Sequence, residues 1–302
     1  IDTSEDDFSY EKANKLYELF STGRTLNPSI YDVSNYYFTI DMPDDSSSSC
    51  LTNELGWKQY LYESYVNDLL ETEDYIWIAT NNLGLIKMNK ETHEMTVFNT
   101  ENSDAISNYF SCVIEGNDGN IWAAGLLERN LVKFDGESHY GWTVFTDENS
   151  DLSRNISDIV QGDDGSIFLV GYQAGIYKFD GESHYGWINF DAYNSDLPHS
   201  VTHSLMKDSN GDIWATCYDG VVKFNGEDAY GWNVWTIENS DLKGNGIRML
   251  EMDDGNILLT TAGEIAKFDG ESQYGWEFFN ANNSDLPLNN ALAIHKTHNG
   301  EI

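Results

Sequence analysis

The sequence predicts an all-β protein, a β-propeller of four-stranded blades, on three observations. First, a unit of 44 to 46 residues repeats, as the marker residues Ile121, Ile167, Ile213 and Ile257 show. Second, each unit contains four short β-rich segments, which in residues 201–235 are separated by turns rich in glycine and asparagine. Third, these segments are too short for the helices of an α-solenoid. Four strands in a repeat of this length are typical of a propeller blade, which buries its faces against its neighbours.

The repeat divides the chain into an N-terminal extension, residues 1–28, and a propeller, residues 29–302. Five blades are predicted at about 66–99, 109–145, 156–190, 201–235 and 245–279. A sixth blade, at 29–62, has weaker motifs, and residues 290–302 supply the strand that completes it. We therefore expect six blades, with a truncated ring of seven as the alternative. In the extension, apolar residues at helical spacing predict a short helix, namely Tyr10, Ala13, Leu16, Tyr17 and Phe20.

Turn residues and tryptophans recur at fixed places in the unit. Asp-Gly or Asn-Gly pairs separate the first and second strands and favour tight hairpins, as at Asp118-Gly119 and Asn210-Gly211. The second strands contain Trp77, Trp122 and Trp214, which we expect in the core between blades. The fourth strands open with a tryptophan that we expect to cover the rim, at Trp142, Trp187, Trp232 and Trp276.

The charge balance excludes several classes of partner. The 302 residues include 51 Asp and Glu against 16 Lys and Arg, a formal net charge of −35. Such a chain repels nucleic acid and anionic membrane surfaces, and it contains no apolar run long enough to span a bilayer. The three cysteines, Cys50, Cys112 and Cys217, are far apart and lack CxxC spacing, so they indicate neither a disulfide framework nor a zinc site.

The repeat resembles the propeller repeats of two-component regulators. Four motifs fit the family pattern: the strand start at 208–214, the Lys-Phe-Asp-Gly type strand at 220–226, the Trp strand at 232–235 and the Asn-Ser-Asp-Leu-Pro connector at 283–287. The resemblance covers residues 60–302 well and 29–60 weakly. It implies the ectodomain of a bacterial sensor or a secreted propeller, in an extracellular, cell-surface or periplasmic location. It also implies a covalently fused signalling or surface domain as a partner.

Residues that recur in every unit indicate scaffold, and residues that depart from their counterparts indicate function. His139 and His184 align with Ala229 and Gln273, so we expect surface turns there and not metal ligands. The repeated carboxylates of the Phe-Asp-Gly-Glu segments likewise predict solvated turns. No cofactor is expected, and Ca²⁺ at the acidic hairpins 163–164 and 253–254 is the alternative.

The departures concentrate in the turns between second and third strands and along the first strands. Arg248 is unusual in so acidic a chain. It is predicted either to hold a ligand carboxylate or uronate, or to form an ion pair with Asp158 or Asp68. The candidate ligand-binding residues are Arg129, Tyr172, Tyr218, Arg248, His203 and Asp158. The sequence assigns no catalytic and no metal-binding residue.

These observations favour an extracytoplasmic binding or sensing module whose ligand is an oligosaccharide or another polar small molecule at the channel mouth. Two alternatives stay open at this stage. One is a polysaccharide lyase or glycosidase, which needs a Tyr, His or carboxylate dyad on the same face. The other is a scaffold or adhesion protein whose acidic rim meets cationic partners. The sequence does not decide whether the chain is an enzyme, although on balance it favours a protein without enzymatic activity.

Overall fold

The computed structural model describes residues 38–40, 60–125, 129–261, 263–286, 291, 293–296 and 302, of which 38–40 and 60–63 are described as backbone only. Over these residues the secondary structure is entirely β, and no helix long and apolar enough to cross a membrane occurs among them. The helix predicted in the N-terminal extension lies outside the described residues. So does most of the predicted sixth blade, and both the blade number and the domain boundaries therefore stay predictions.

The chain divides into two compact units. The N-terminal unit, Thr25–Val144, contains a two-stranded pair, β1 (Phe38–Ile40) and β2 (Tyr60–Ser64). Its first four-stranded sheet consists of β3 (Val66–Glu71), β4 (Tyr75–Thr80), β5 (Leu85–Asn89) and β6 (Met95–Phe98). Its second consists of β7 (Cys112–Glu115), β8 (Ile121–Gly125), β9 (Asn130–Phe134) and β10 (Thr143–Thr146), whose last strand crosses the boundary between the units.

The C-terminal unit, which includes Phe145–Ile302, contains three further sheets. The first is β11 (Asp158–Gln161), β12 (Ile167–Gly171), β13 (Gly175–Phe179) and β14 (Ile188–Phe190). The second is β15 (Thr202–Lys207), β16 (Ile213–Cys217), β17 (Gly220–Phe224) and β18 (Asn233–Thr236). The third is β19 (Gly246–Glu251), β20 (Ile257–Thr261), β21 (Ile265–Phe268) and β22 (Glu277–Phe279). Each sheet pairs its strands in chain order, so these five sheets confirm the predicted four-stranded units.

The acidic hairpins between first and second strands are stabilised in the same way in several sheets. The glycine of each hairpin has a positive φ, for example 85° at Gly165, which a side chain would strain. Asp164 accepts the backbone N–H of Ser166 at 2.9 Å and pairs with Lys178 of the third strand at 3.3 Å. The same pairing joins Asp118 to Lys133 and Asp254 to Lys267. These carboxylates therefore belong to the scaffold.

The second-strand tryptophans lie in the core as the sequence predicts, and tryptophans that precede the fourth strands stack on phenylalanines. Trp122 and Trp214 of the second strands are almost fully buried. Trp232 and Trp276 stack on the phenylalanines that end the third strands, with ring centroids 4.1 and 4.0 Å apart. Burial of a large aromatic ring contributes roughly 2–3 kcal/mol, so these rings are a substantial part of the stability of the fold.

Two of the repeated motifs bind each other, and we call this contact the connector clamp. In four of the Asn-Ser-Asp connectors the Asp accepts the backbone N–H groups of the Gly and Trp in the Tyr-Gly-Trp loop of the next sheet. In the C-terminal unit the clamps are Asp151 with Gly186 and Trp187, Asp196 with Gly231 and Trp232, and Asp241 with Gly275 and Trp276. Asp104 makes the same contacts to Gly141 and Trp142 within the N-terminal unit. Each clamp therefore links one sheet to the connector that precedes it.

Two histidines, which the sequence places in surface turns, also contact the connector. His184 Nδ1 lies 3.0 Å from the carbonyl oxygen of Asn149, and its ring packs on Phe145 with centroids 4.7 Å apart. His139 makes the equivalent contacts to Asn102 and Phe98. These side chains hold the connector in place, a role that Ala229 and Gln273 leave to the backbone.

Candidate functional site

The first strands of the three sheets of the C-terminal unit bring together three of the predicted site residues. Arg248 on β19 donates from Nη1 to the carbonyl oxygen of His203 on β15 at 3.1 Å. The same nitrogen lies 3.6 Å from Asp158 Oδ2 on β11. The predicted ion pair with Asp158 is thus confirmed. Asp68, the other predicted partner, lies in the N-terminal unit, where its Oδ2 accepts the N–H of Val113 at 2.9 Å.

β-bulges aim these side chains. The pairing of β15 with β16 shifts between Thr202 and Ser204, so His203 lies at the irregularity, and the pairing of β19 with β20 shifts just before Arg248. A bulge frees a backbone N–H from the ladder. Thr260 Oγ1 accepts the N–H of Arg248 at 3.0 Å, and a buried threonine of β16 does the same for Ser204. The N–H groups that the bulges free are therefore hydrogen-bonded, and the bulges redirect the side chains beside them.

Asp158 has a structural role as well as an electrostatic one. Its Oδ2 accepts the N–H of Leu205 on the next first strand at 2.9 Å, as Asp68 does for Val113. Asp158 is therefore a fixed counter-ion that orients the guanidinium group. Arg248 keeps 37% of its side chain exposed, and among the described residues no partner contacts its Nε or Nη2. Those donors remain available for a ligand.

His203 lies against this cation as a neutral imidazole. Burial lowers its pKa below the ordinary value of 6.5, and the charges of Arg248 and His199 lower it further. Its carbonyl oxygen accepts a second hydrogen bond, from Ser157 Oγ at 3.1 Å. A neutral imidazole can both donate and accept a proton, so His203 can bind a hydroxyl group or act as a base.

Tyr218 and His199 extend the site along the turn after β16. The N–H of Tyr218 donates to the carbonyl oxygen of Val201 at 2.9 Å, and the N–H of Val201 donates to His199 Nδ1 at 2.9 Å. The two rings lie 5.3 Å apart, and about half of Tyr218 is exposed. His199 is not among the residues that the sequence nominates, although it departs from Arg154 and Gly244, which lie at the same distance from the aspartate of the Asn-Ser-Asp connector.

Tyr172 lies on the preceding turn, between β12 and β13. Thr202 Oγ1 accepts the N–H of Gly171 at 3.1 Å and lies 2.9 Å from the carbonyl oxygen of Gly175, so residue 202 holds the base of this turn. The connector that ends at Thr202 therefore contacts both the Tyr172 turn and the Tyr218 turn. Tyr172 itself is 64% exposed. We call the surface formed by Tyr172, His199, Tyr218, His203, Asp158 and Arg248 the turn face.

Arg129, the remaining candidate, belongs to the N-terminal unit. It lies in the turn before β9 with a left-handed φ of 46°. Its part in ligand binding stays a prediction. For the acidic hairpins, the nominated carboxylates of the C-terminal unit face lysines: Asp163 pairs with Lys207 and Asp253 with Lys296, each at 2.6 Å. Calcium binding at these turns also stays a prediction.

Comparison with known proteins places this fold among the β-propellers. The extracellular domain of BT4673 from B. thetaiotaomicron, described as a one component system, is 16% identical with a TM-score of 0.59 over 72% of this chain and 31% of its own. The extracellular domain of BT3049 from the same organism, described as a hybrid two component system, is 16% identical with a TM-score of 0.51. The match covers 80% of this chain and 38% of that domain. Virginiamycin B lyase from Staphylococcus aureus is 12% identical with a TM-score of 0.58, and the match covers 72% of this chain and 70% of the lyase.

These similarities confirm the propeller fold class and the resemblance to two-component regulator propellers at the level of the fold. The chain spans about a third of the length of the two sensor domains. The sequence matches no family model and no curated protein.

Proposed function

We propose that the chain is an extracytoplasmic sensing module that binds a short oligosaccharide or another polar small molecule at the turn face. The observation that supports this most directly is the Arg248 cluster, in which a partly exposed guanidinium group is oriented by Asp158 and by the carbonyl of His203. A partly exposed guanidinium group that neighbouring groups hold in one orientation is preorganised to donate hydrogen bonds to a ligand. The fold similarity to extracellular sensor domains supports the location and the sensing role.

The chemistry of the turn face limits the ligand. The Nε and Nη2 donors of Arg248 suit a carboxylate or a pair of hydroxyl groups, and the exposed ring of Tyr218 suits the face of a sugar ring. The formal net charge of −35 repels long polyanions. A neutral or singly acidic ligand of a few rings therefore fits this surface best.

A binding screen with matched variants tests the proposal. Neutral and uronate-containing oligosaccharides are screened on an array, and hits are titrated by calorimetry. Arg248→Ala is expected to weaken a hit by roughly tenfold to a hundredfold, the loss of about 1.5–3 kcal/mol for a charge-assisted hydrogen bond. Arg154→Ala is the control, because Arg154 is an exposed arginine of the same unit with no contact to the described residues. Equal losses in both variants, or no binding by any sugar or acid, would refute the proposal.

The neutral His203 favours a lyase as the second candidate function. A neutral imidazole can remove the proton next to a substrate carboxylate while a guanidinium group stabilises the developing negative charge; the carbon–oxygen bond then breaks, a double bond forms and the departing oxygen takes up the proton from the imidazolium. Mass spectrometry of the incubated ligand separates the two functions. Unsaturated products that disappear in His203→Gln, with binding retained, support the lyase, whereas unchanged ligand supports sensing.

A further inference from the structure

A row of exposed tyrosines recurs on the loops that join third and fourth strands. Tyr185, Tyr230 and Tyr274 hold the same position in the three successive sheets of the C-terminal unit, and each is 63% to 64% exposed. None of the three makes a hydrogen bond or a ring contact with the described residues. Single exposed apolar side chains are normal on protein surfaces, so the feature that matters here is the repetition of the exposed ring at one loop position.

Neither the turn nor recent duplication accounts for the row. The neighbouring position has changed from His184 to Ala229 to Gln273, while the tyrosine has stayed. The glycine that follows has a positive φ in all three loops, and that conformation places no demand on the residue before it. Recurrence by itself indicates scaffold in this chain, but these tyrosines make no contact with the described residues, so a scaffold role does not account for them.

The connector clamp fixes the backbone that carries these rings. In the loop of Tyr230, the N–H of Gly231 donates to Asp196 Oδ2 at 2.6 Å, and the carbonyl oxygen of Ala229 accepts the N–H of Asp196 at 3.0 Å. The backbone on both sides of the tyrosine is thus fixed. A preorganised aromatic side chain loses little entropy on binding, which is why tyrosines are effective in recognition surfaces.

A carboxylate lies close to each tyrosine in the chain. A glutamate lies three residues before each tyrosine, and the glutamates Glu182, Glu227 and Glu271 are all exposed, although Glu271 also lies 3.5 Å from Lys223 Nζ. At Tyr274 there is in addition a cleft of about 240 Å³, whose lining includes Lys267, Asp269, Trp276 and Glu277. Glu277 stands where the other two sheets have Ile188 and Asn233, so this cleft has gained a carboxylate.

We propose that this tyrosine row is a docking surface for a cationic polypeptide segment, whose arginine and lysine side chains lie over the rings and pair with the adjacent carboxylates. Charge complementarity decides the class of partner, because a chain with a net charge of −35 attracts cations. A cation over an aromatic ring is attracted by the ring face, and arginine makes this contact most often. Three such contacts on one unit reinforce each other through the linkage of the peptide. The row lies apart from the turn face in the chain, on the loops between third and fourth strands, and is independent of the proposed sensing role.

The test uses an oligoarginine peptide as the probe, titrated by fluorescence anisotropy at fixed ionic strength. The triple variant Tyr185→Ala, Tyr230→Ala, Tyr274→Ala leaves the net charge unchanged and is expected to weaken binding on the order of tenfold or more. The same three positions changed to Phe should bind like the unmodified chain, since the ring is kept. Tyr193→Ala is the control, because Tyr193 is 95% exposed and lies on a connector outside the row.

A second pair of variants tests the cleft. Glu277→Gln is expected to weaken the peptide about threefold, whereas Glu238→Gln, which removes the same charge from an exposed connector, should change it much less. If the triple alanine variant binds the peptide as tightly as the unmodified chain, attraction is due to net charge alone and the proposal is wrong. It is also overturned if the row binds neutral oligosaccharides and the peptide does not compete with them.

Discussion

Removing one connector clamp should measurably destabilise the C-terminal unit, and Asp241→Ala is the cleanest test. Asp241 Oδ2 accepts the N–H of Gly275 at 2.6 Å and that of Trp276 at 3.2 Å. Hydrogen bonds to a charged group contribute roughly 1.5–3 kcal/mol each when buried, and solvent around the exposed Gly275 reduces this, so we expect a loss of about 2 kcal/mol in total. With an unfolding entropy of roughly 2.1 cal/mol/K per residue, that loss lowers Tm by about 3 °C if the whole chain unfolds together, or about 6 °C if the C-terminal unit unfolds alone.

The control is Glu238→Ala, three residues earlier on the same connector. Glu238 is exposed, and its carboxylate has no contact with the described residues. Both substitutions remove one negative charge from a strongly acidic protein, so the general relief of repulsion cancels between them. Thermal unfolding followed by circular dichroism, with urea midpoints as a second measure, gives the difference. If the two variants melt within about 1 °C of each other, the clamp contributes nothing and the structural reading of the Asn-Ser-Asp motif is refuted.

Three further outcomes are expected. The pKa of His203 is lowered on folding, so the unfolded chain binds more protons than the folded chain below the ordinary value of 6.5, and stability should fall as pH drops through that value. His203→Gln should therefore flatten a plot of urea midpoint against pH. An unchanged slope would contradict the burial of this imidazole. Burial raises the pKa of Cys217 to about 12, so peptide mapping after treatment with iodoacetamide near neutral pH should find it unmodified in the folded chain and modified in urea; labelling without denaturant would show that the β16 turn opens. Since Lys178 and Lys267 already neutralise the acidic hairpins, CaCl₂ and NaCl at equal ionic strength should raise Tm equally, and a heat of Ca²⁺ binding in calorimetry would contradict this.

Much of the fold could be predicted from the sequence because its determinants are local. Strand length, the Asp-Gly turns and the buried second-strand tryptophans recur within single units, and each unit forms a four-stranded sheet as the pattern predicts. The repeat also isolated Arg248 as a departure, and the expected partner Asp158 was among the candidates. In a repeat protein the same strand and turn pattern occurs in several copies, so a local prediction made in one repeat is supported by the others.

The sequence by itself determined the repeat, the strands and turns within each unit, and the residues that depart from the repeat. Only the tertiary structure decided which residues of one sequence repeat contact which residues of the next. The connector clamp joins Asp241 to Gly275, the Arg248 cluster joins three successive first strands, and His199 enters the turn face through the ring of Tyr218. Those contacts link residues that are 19 to 45 residues apart in the chain. No local pattern specifies them, because which side chain of one sheet meets which backbone group of the next depends on the bulges and on the packing of the sheets.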